Sequence, residues 1–317
     1  MRRLRYGNLL RDFLSETRIN EEKMVMPVFI DENIRKRKPI ESMPGIFRQG
    51  TGDYLSYIQG LADMGVKSIL LFGIPSSKDS SGTSAFQSNG VIQRAIKDVK
   101  ASTEITVIAD LCLCEYTDTG QCGLMKGHYV DNDSTLVAYR KIARTYAEAG
   151  TDIVAPSGMM DGQVAAIRDE LEKSGFSNTL IMGYSAKYAS GLYGPFREAA
   201  DSAPQVGDRR SYQMDYRNSR EALRELKLDM EEGADILMVK PALFYLDVLR
   251  EARLSFTLPM AAYSVSGEYT MIRNAVDQGF LSKDVIAESI SSIFRAGADI
   301  VISYFTEYIL SGGLEEQ

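Results

Sequence analysis

Four times along the chain a helical pattern closes on glycine, and an aliphatic run follows a polar residue. The unit appears as Asp63-Met64-Gly65 before Ser68-Ile69-Leu70-Leu71-Phe72, and as Glu148-Ala149-Gly150 before Asp152-Ile153-Val154-Ala155. It returns as Glu232-Gly233 before Asp235-Ile236-Leu237-Met238-Val239, and as Arg295-Ala296-Gly297 before Asp299-Ile300-Val301-Ile302. A glycine just past a helix supplies the left-handed residue that ends it. The runs are rich in Ile, Val, Leu and Met and do not alternate with polar residues. Strands buried on both faces read this way, as in parallel sheets.

Eight such runs begin near Met24, Ser68, Thr106, Asp152, Leu180, Asp235, Pro259 and Asp299. Amphipathic stretches lie between them, among them Tyr54 to Met64, Leu136 to Ala149, Val164 to Lys173, Ser219 to Glu232 and Val285 to Ala296. Strands alternating with helices eight times predict an α/β fold, the (β/α)8 TIM barrel. A doubly wound open sheet is the alternative, but no Gly-rich phosphate loop follows the first strand. No linker or low-complexity segment divides the 317 residues. Residues 24–317 therefore read as a single barrel catalytic domain, and residues 1–23 as a short N-terminal arm.

Composition narrows the class of partner. A formal net charge of −7 disfavours nucleic acid or an anionic membrane as the main target. No apolar segment approaches the ~20 residues of a membrane span. Met1-Arg2-Arg3-Leu4-Arg5 is followed by Arg11, Asp12, Glu16 and Arg18, which leaves no apolar core for a signal peptide. The three cysteines are clustered and odd in number, which speaks against a disulfide framework and for a reducing compartment. A cytoplasmic protein acting on a small molecule is expected, with no nucleic-acid or membrane partner.

In a barrel of this kind chemistry gathers where strands end and the following loops begin. Strand three ends in Asp110 and a Cys-x-Cys-x7-Cys loop carrying Cys112, Cys114 and Cys122. Three thiolates on one polar loop can hold a soft tetrahedral ion such as zinc and leave a fourth position for water or substrate. Strand four ends in Ser157, strand five in Ser185-Ala186-Lys187, strand six in Val239-Lys240-Pro241, strand seven in Tyr263-Ser264-Val265-Ser266, and strand eight in Ser303-Tyr304. A lysine ending an apolar strand is costly to bury unless its charge is paired or lost. Strands five and six are neighbours ~5 Å apart, so Lys187 and Lys240 can face each other. Two adjacent ammoniums depress one another, leaving one neutral amine able to form a Schiff base with a ketone.

The connection after Lys187 is the longest in the barrel, and its Gly- and Pro-punctuated course reads as a lid. It carries Tyr193-Gly194-Pro195-Phe196-Arg197 and Gly207-Asp208-Arg209-Arg210. Arginines there suit a carboxylate or phosphate partner. The single histidine, His128, has no assigned role. General acid–base work then falls to Asp110, the lysines, a tyrosine or metal-bound water.

Taken together these segments resemble the porphobilinogen synthase (5-aminolevulinate dehydratase) family. The match spans nearly the whole chain: Lys38-Pro39-Ile40 with Met43-Pro44-Gly45, the cysteine loop, Ala155-Pro156-Ser157 with Met159 to Gly162, and Ser185-Ala186-Lys187. It continues through Tyr193 to Arg197, Gly207-Asp208-Arg209, Tyr212-Gln213, Met238 to Pro241, Val265 to Tyr269 and Ser303-Tyr304. The resemblance implies condensation of two 5-aminolevulinate molecules to porphobilinogen with loss of two waters, in tetrapyrrole (heme) biosynthesis.

It also implies roles. Lys240 forms the Schiff base with the first substrate, whose carboxylate Ser266 and Tyr304 bind. Lys187 serves the second substrate, whose carboxylate Arg197, Arg209 and Gln213 hold. Tyr193 belongs with the substrate-binding residues, and Asp110 and Ser157 handle the amino group and proton transfers. Cys112, Cys114 and Cys122 mark the zinc-dependent type, although Gln121 stands where histidine commonly precedes the last cysteine and Gly158 where an acidic residue is frequent. An allosteric magnesium site is implied, with Glu225 at the matching position. A homo-oligomer is implied, usually an octamer whose arms wrap neighbouring barrels. The short arm leaves dimer and hexamer open. A class I aldolase also uses a barrel lysine but needs neither the thiol loop nor a second lysine. A barrel with only structural zinc is the non-enzymatic rival.

Overall fold

The computed structural model describes residues 2–314. Eight parallel strands close into a barrel: β1 (Met24–Asp31), β2 (Ser68–Ile74), β3 (Thr106–Leu111), β4 (Ile153–Pro156), β5 (Leu180–Lys187), β6 (Ile236–Lys240), β7 (Met260–Ser264) and β8 (Ile300–Ser303). Closure is direct, with Met24 of β1 paired to Val301 of β8 and Val25 to Ile302. Every strand begins within one residue of the start expected from the sequence. Around the barrel run α1 (Tyr54–Met64), α2 (Val91–Ser102), α3 (Asn132–Ala149), α4 (Gln163–Lys173), α5 (Arg220–Glu231), α6 (Leu246–Ser255), α7 (Ser266–Asp277) and α8 (Asp284–Ala296). Helix α3 starts four residues before Leu136, because the Asp131 side chain accepts the Ser134 N–H and caps an earlier turn.

The repeating unit has a structural cause. Gly65 and Gly150 end α1 and α3 in the left-handed conformation, with φ of 105° and 98°. The aspartate that follows the glycine in three of the four copies caps the neighbouring strand. Asp152 accepts the N–H of Val107, Asp235 that of Ile181, and Asp299 that of Met260, at 2.8, 2.8 and 2.9 Å. Each also pairs with a cation from an outer helix: Lys100, Arg168 and Arg253 respectively. The motif thus bolts the helix layer to the bottom of the barrel.

Two features of the barrel prepare its upper end. A small strand, Phe47–Gly50, runs parallel to the last residues of β1, with Phe29 opposite Arg48. The second feature is a bulge in β5. Gly183 pairs with Leu237, but the next pair is Ala186 with Val239, so β5 advances three residues where β6 advances two. A regular strand would send Tyr184 and Lys187 to opposite faces. With the bulge both point into the barrel, and the Lys187 amine lies 5.5 Å from the Tyr184 ring centre. Gly183 and Ser185 instead face Asp229 of α5, whose Oδ2 sits 2.6 Å from where a Cβ on Gly183 would be.

Residues 2–23 contain three short helical pieces, Arg2–Arg5, Asn8–Phe13 and Glu21–Lys23, none of which buries a residue. Tyr6, Leu9 and Phe13 are left exposed. Among the described residues no helix is long and apolar enough to cross a membrane.

Candidate active site

Lys240, the last residue of β6, stands directly opposite Lys187, the last residue of β5. Four aromatic rings enclose the Lys240 amine: Tyr263 at 4.1 Å, Tyr184 at 4.9 Å, Phe196 at 5.2 Å and Tyr193 at 5.4 Å. Ring faces attract a cation, but removal from water opposes it. Burial wins, and with the neighbouring Lys187 charge it pushes the Lys240 amine down to about 7. Desolvation is the larger of the two causes and the Lys187 charge the smaller. Lys187 donates to the Ser157 carbonyl at 2.5 Å.

Asp110 ends the inner face of β3. Burial pushes its carboxyl up to about 6, against the pull of both lysines. The Ser157 hydroxyl donates to its Oδ2 at 3.1 Å. A group poised near neutrality and held by a neighbouring hydroxyl is suited to move protons at neutral pH.

The cysteine loop lies beside this cluster. The sulfurs of Cys112, Cys114 and Cys122 all lie within 4.8 Å of one another, and all three side chains are buried. Hydrogen bonds from Cys112 and Cys114 hold the Cys122 thiol well below its ordinary range, and the Arg209 and Lys187 cations add to this. Burial pushes Cys112 up, and the hydrogen bond with Cys112 pushes Cys114 up. A tetrahedral ion about 2.3 Å from each sulfur needs them roughly 3.8 Å apart; Cys112 and Cys114 stand at 3.2 Å, so a small spreading of the trio would seat a thiophilic metal. Glu115 was not singled out from the sequence. It is buried, and the Cys114 thiol donates to its Oε2 at 3.2 Å. Burial and the nearby Asp110 charge push it up to about 7.

The long segment after β5, residues 188–219, folds over the barrel mouth. Phe196 packs edge-on to Phe72 with ring centres 5.0 Å apart, and the Tyr193 hydroxyl donates to the Lys240 carbonyl. The cysteine loop and the lid are tied together at several points. Arg209 donates to the carbonyls of Gly120 and Ser202 at 2.8 and 2.5 Å. Gln121 donates to those of Val206 and Asp208, and accepts from Tyr212, whose hydroxyl also accepts the Cys122 N–H. Gln121 is therefore a lid anchor. Gly158 has a steric cause: a Cβ there would lie 1.8 Å from the Tyr139 hydroxyl, which donates to the Cys122 carbonyl.

The space enclosed beneath the lid is about 10 Å³, roughly what one water occupies, so the lid must lift to admit a substrate. Its walls include Asp110, Cys114, Ser157, Lys187, Tyr193, Arg209 and Lys240 from the sequence reading, with Phe72, Glu115 and Phe196 in addition. Arg197 and Gln213 instead line an outer cavity of about 230 Å³ that shares Arg209. Ser266 lies outside both cavities. It is the first residue of α7 rather than part of β7, because Glu268 accepts the Val265 N–H and starts the helix there. Its hydroxyl accepts the Phe196 N–H and donates to the Leu192 carbonyl, so in this closed arrangement it anchors the lid. Tyr304 is also outside the cavity, hydrogen-bonded to Tyr263 at 3.0 Å. Glu225 lies on the outer face of the barrel, in a groove of about 550 Å³ with Asp161 and Glu221. His128 is exposed in the turn between Met125–Lys126 and Tyr129–Val130.

Residues 1–311 match the family described as delta-aminolevulinic acid dehydratase. Relatives of that description include proteins of Methanothermus sociabilis, 50% identical over 310 residues (98% of this chain, 97% of the relative), and of Archaeoglobus fulgidus, 52% identical over 310 residues (98% and 96%). Among solved structures, the delta-aminolevulinic acid dehydratase (porphobilinogen synthase) of Toxoplasma gondii, in complex with its reaction product porphobilinogen, superposes with a TM-score of 0.96. It is 39% identical, and the match covers 100% of this chain and 92% of that one.

Proposed function

The chain belongs to the delta-aminolevulinic acid dehydratase family and is a hydro-lyase that condenses two 5-aminolevulinate molecules to porphobilinogen in porphyrin and heme biosynthesis; we propose that it works through an imine on Lys240 and a zinc ion on Cys112, Cys114 and Cys122. The observation that carries the imine is the caged Lys240 amine, neutral near pH 7 and opposite a second lysine. Its lone pair adds to the ketone carbon of the first substrate, and the ketone oxygen leaves as water once protonated. Asp110, with Ser157 on its Oδ2, is the group placed to give and take that proton.

Lys187, fixed on the Ser157 carbonyl, faces the second substrate from β5. Arg197 and Gln213 in the outer cavity suit its carboxylate, with Arg209 shared between the two spaces. Once the lid lifts, Ser266 and Tyr304 become available to the first carboxylate. When bound, the metal supplies a Lewis acid that polarises a substrate carbonyl. Three sulfurs give a thiophilic ion its ligands, and the cationic Arg209 beside Cys122 offsets their charge.

The exposed Tyr6, Leu9 and Phe13 of the arm suit docking on a second copy, which supports a homo-oligomer. Glu225, with Glu221 one turn earlier on α5 and Asp161 lining the same groove, suits an allosteric magnesium ion. Three free buried thiols fit a cytoplasmic setting.

Borohydride reduction with 5-aminolevulinate, followed by peptide mapping, tests the imine: the adduct should fall on the Lys240 peptide. An adduct confined to other lysines would reverse the assignment. Chelation should remove zinc and activity together, and full turnover by metal-free Cys122→Ala would refute the metal site.

A further inference from the structure

Two carboxyls line the central cavity, and the roles above use only one of them. Asp110 takes the Ser157 hydroxyl on Oδ2, and its Oδ1 is buried with no hydrogen-bond partner among the described residues. Glu115 takes the Cys114 thiol on Oε2, and its Oε1 is likewise buried and unpartnered. The two side chains are only 7% and 2% exposed. Native proteins leave few buried acceptors without a donor, and such atoms call for a ligand or a functional reason.

Neither oxygen is met by the donors around it: the Tyr184 hydroxyl and the Arg209 Nε are themselves buried without a partner among the described residues, and the Lys240 amine faces aromatic rings. Lys187 donates to the Ser157 carbonyl, and Arg209 to Gly120 and Ser202. Phe72, Tyr193 and Phe196 supply much of the remaining wall. A primary ammonium group brings three N–H donors and no acceptor, which is the complement of two orphaned carboxyl oxygens on an otherwise aromatic and cationic wall. The substrate carries one such group, and its carboxylate and ketone cannot satisfy these oxygens because they have no donor to offer.

We propose that Glu115 binds substrate directly, its Oε1 and the Oδ1 of Asp110 together receiving the ammonium group of a 5-aminolevulinate molecule. This rests on the reading of the cavity as the condensation site. It makes Glu115 the residue that selects an amine-bearing keto acid over the same acid without the amine. The placement on the β3 side, beside Lys187, assigns the contact to the second substrate.

The test uses the zinc-loaded enzyme and two variants, Glu115→Gln and Glu115→Ala. Four quantities are measured: KM for 5-aminolevulinate, inhibition by 4-oxopentanoate (the substrate lacking its amino group), borohydride trapping at Lys240, and zinc bound per chain. A charge-assisted hydrogen bond lost on one partner should raise KM about tenfold or more in both variants. Inhibition by 4-oxopentanoate, trapping at Lys240 and zinc content should stay at the wild-type level. Equal weakening toward 5-aminolevulinate and 4-oxopentanoate would show that Glu115 shapes the site without reading the amine, and would overturn the proposal. So would an unchanged KM, or a loss of zinc that accounts for the rise. Glu115→Gln preserves the side chain's volume and decides the matter if the alanine variant does not fold. Absence of Lys240 trapping in the wild type would bring down the site reading and this assignment with it, and is distinguishable because no substitution is involved.

Discussion

Arg209→Ala separates two kinds of work that one guanidinium can do. By residue type alone Arg209 grips a substrate carboxylate. In the closed structure it is 4% exposed and donates to two carbonyls, Gly120 on the cysteine loop and Ser202 on the lid. It is therefore a rivet between loop and lid before any substrate arrives. A hydrogen bond from a charged donor contributes about 1.5–3 kcal/mol, so removing both weakens the closed arrangement by about 3 kcal/mol even at the low end. Each 1.4 kcal/mol is tenfold in an equilibrium, so the lid should open on the order of a hundredfold more often. The neighbouring ties from Gln121 to Val206 and Asp208 remain, which keeps the lid attached but less protected. Amide hydrogen exchange over residues 195–213 without substrate is the direct assay, with Arg209→Lys as the charge-preserving control. Faster exchange in the lid, a raised KM and intact borohydride trapping at Lys240 are expected. Unchanged lid exchange together with a raised KM would refute the reasoning, because the guanidinium would then act on the substrate alone.

Three further outcomes are expected. The rate of imine formation at Lys240 should rise with pH as the ammonium loses its proton and level off above about pH 7, where an ordinary lysine would keep rising to pH 10; stopped borohydride trapping across pH 5–9 reads this directly. Gly158→Ala sets a methyl group against the Tyr139 hydroxyl and should cost about 2–4 kcal/mol through overpacking and the lost bond to the Cys122 carbonyl, seen as a lower Tm and weaker zinc retention; a wild-type Tm would contradict it. Burial pushes the Asp229 carboxyl from its ordinary 3.8 up to about 7. The folded state then holds a proton that the unfolded state has released, so this residue's contribution to stability falls as pH rises between those values and stays low above them. Asp229→Asn should remove that fall and gain up to about 4 kcal/mol relative to wild type at pH 8, and denaturant midpoints at pH 4 and pH 8 that differ equally in both proteins would rule it out.

Much of this protein is determined locally. Alternation of buried strands with glycine-terminated helices is a short-range pattern, so the eight strands and their helices are readable in order, and chain order alone places Asp110, Ser157, Lys187 and Lys240 at strand ends on one face. The cysteine spacing is equally local, and it brings three sulfurs within reach of one ion. What tertiary structure decided depends on contacts between distant segments. The bulge in β5 breaks the period of two, and with it any inference about which side of the barrel Tyr184 and Lys187 face. The aromatic cage around Lys240 draws on β5, β7 and the lid, and so the burial that lowers its pKa has no signature around residue 240 itself. Glu115 reads as one more polar loop residue until the fold seals it beside Asp110. Arg209, Gln121 and Ser266 were tied to substrate or to metal tuning, but in the closed state they bond to backbone groups 70 to 89 residues away. Hydrophobic periodicity reports which face of an element is buried; it carries no information about which polar group of a remote loop will meet it there.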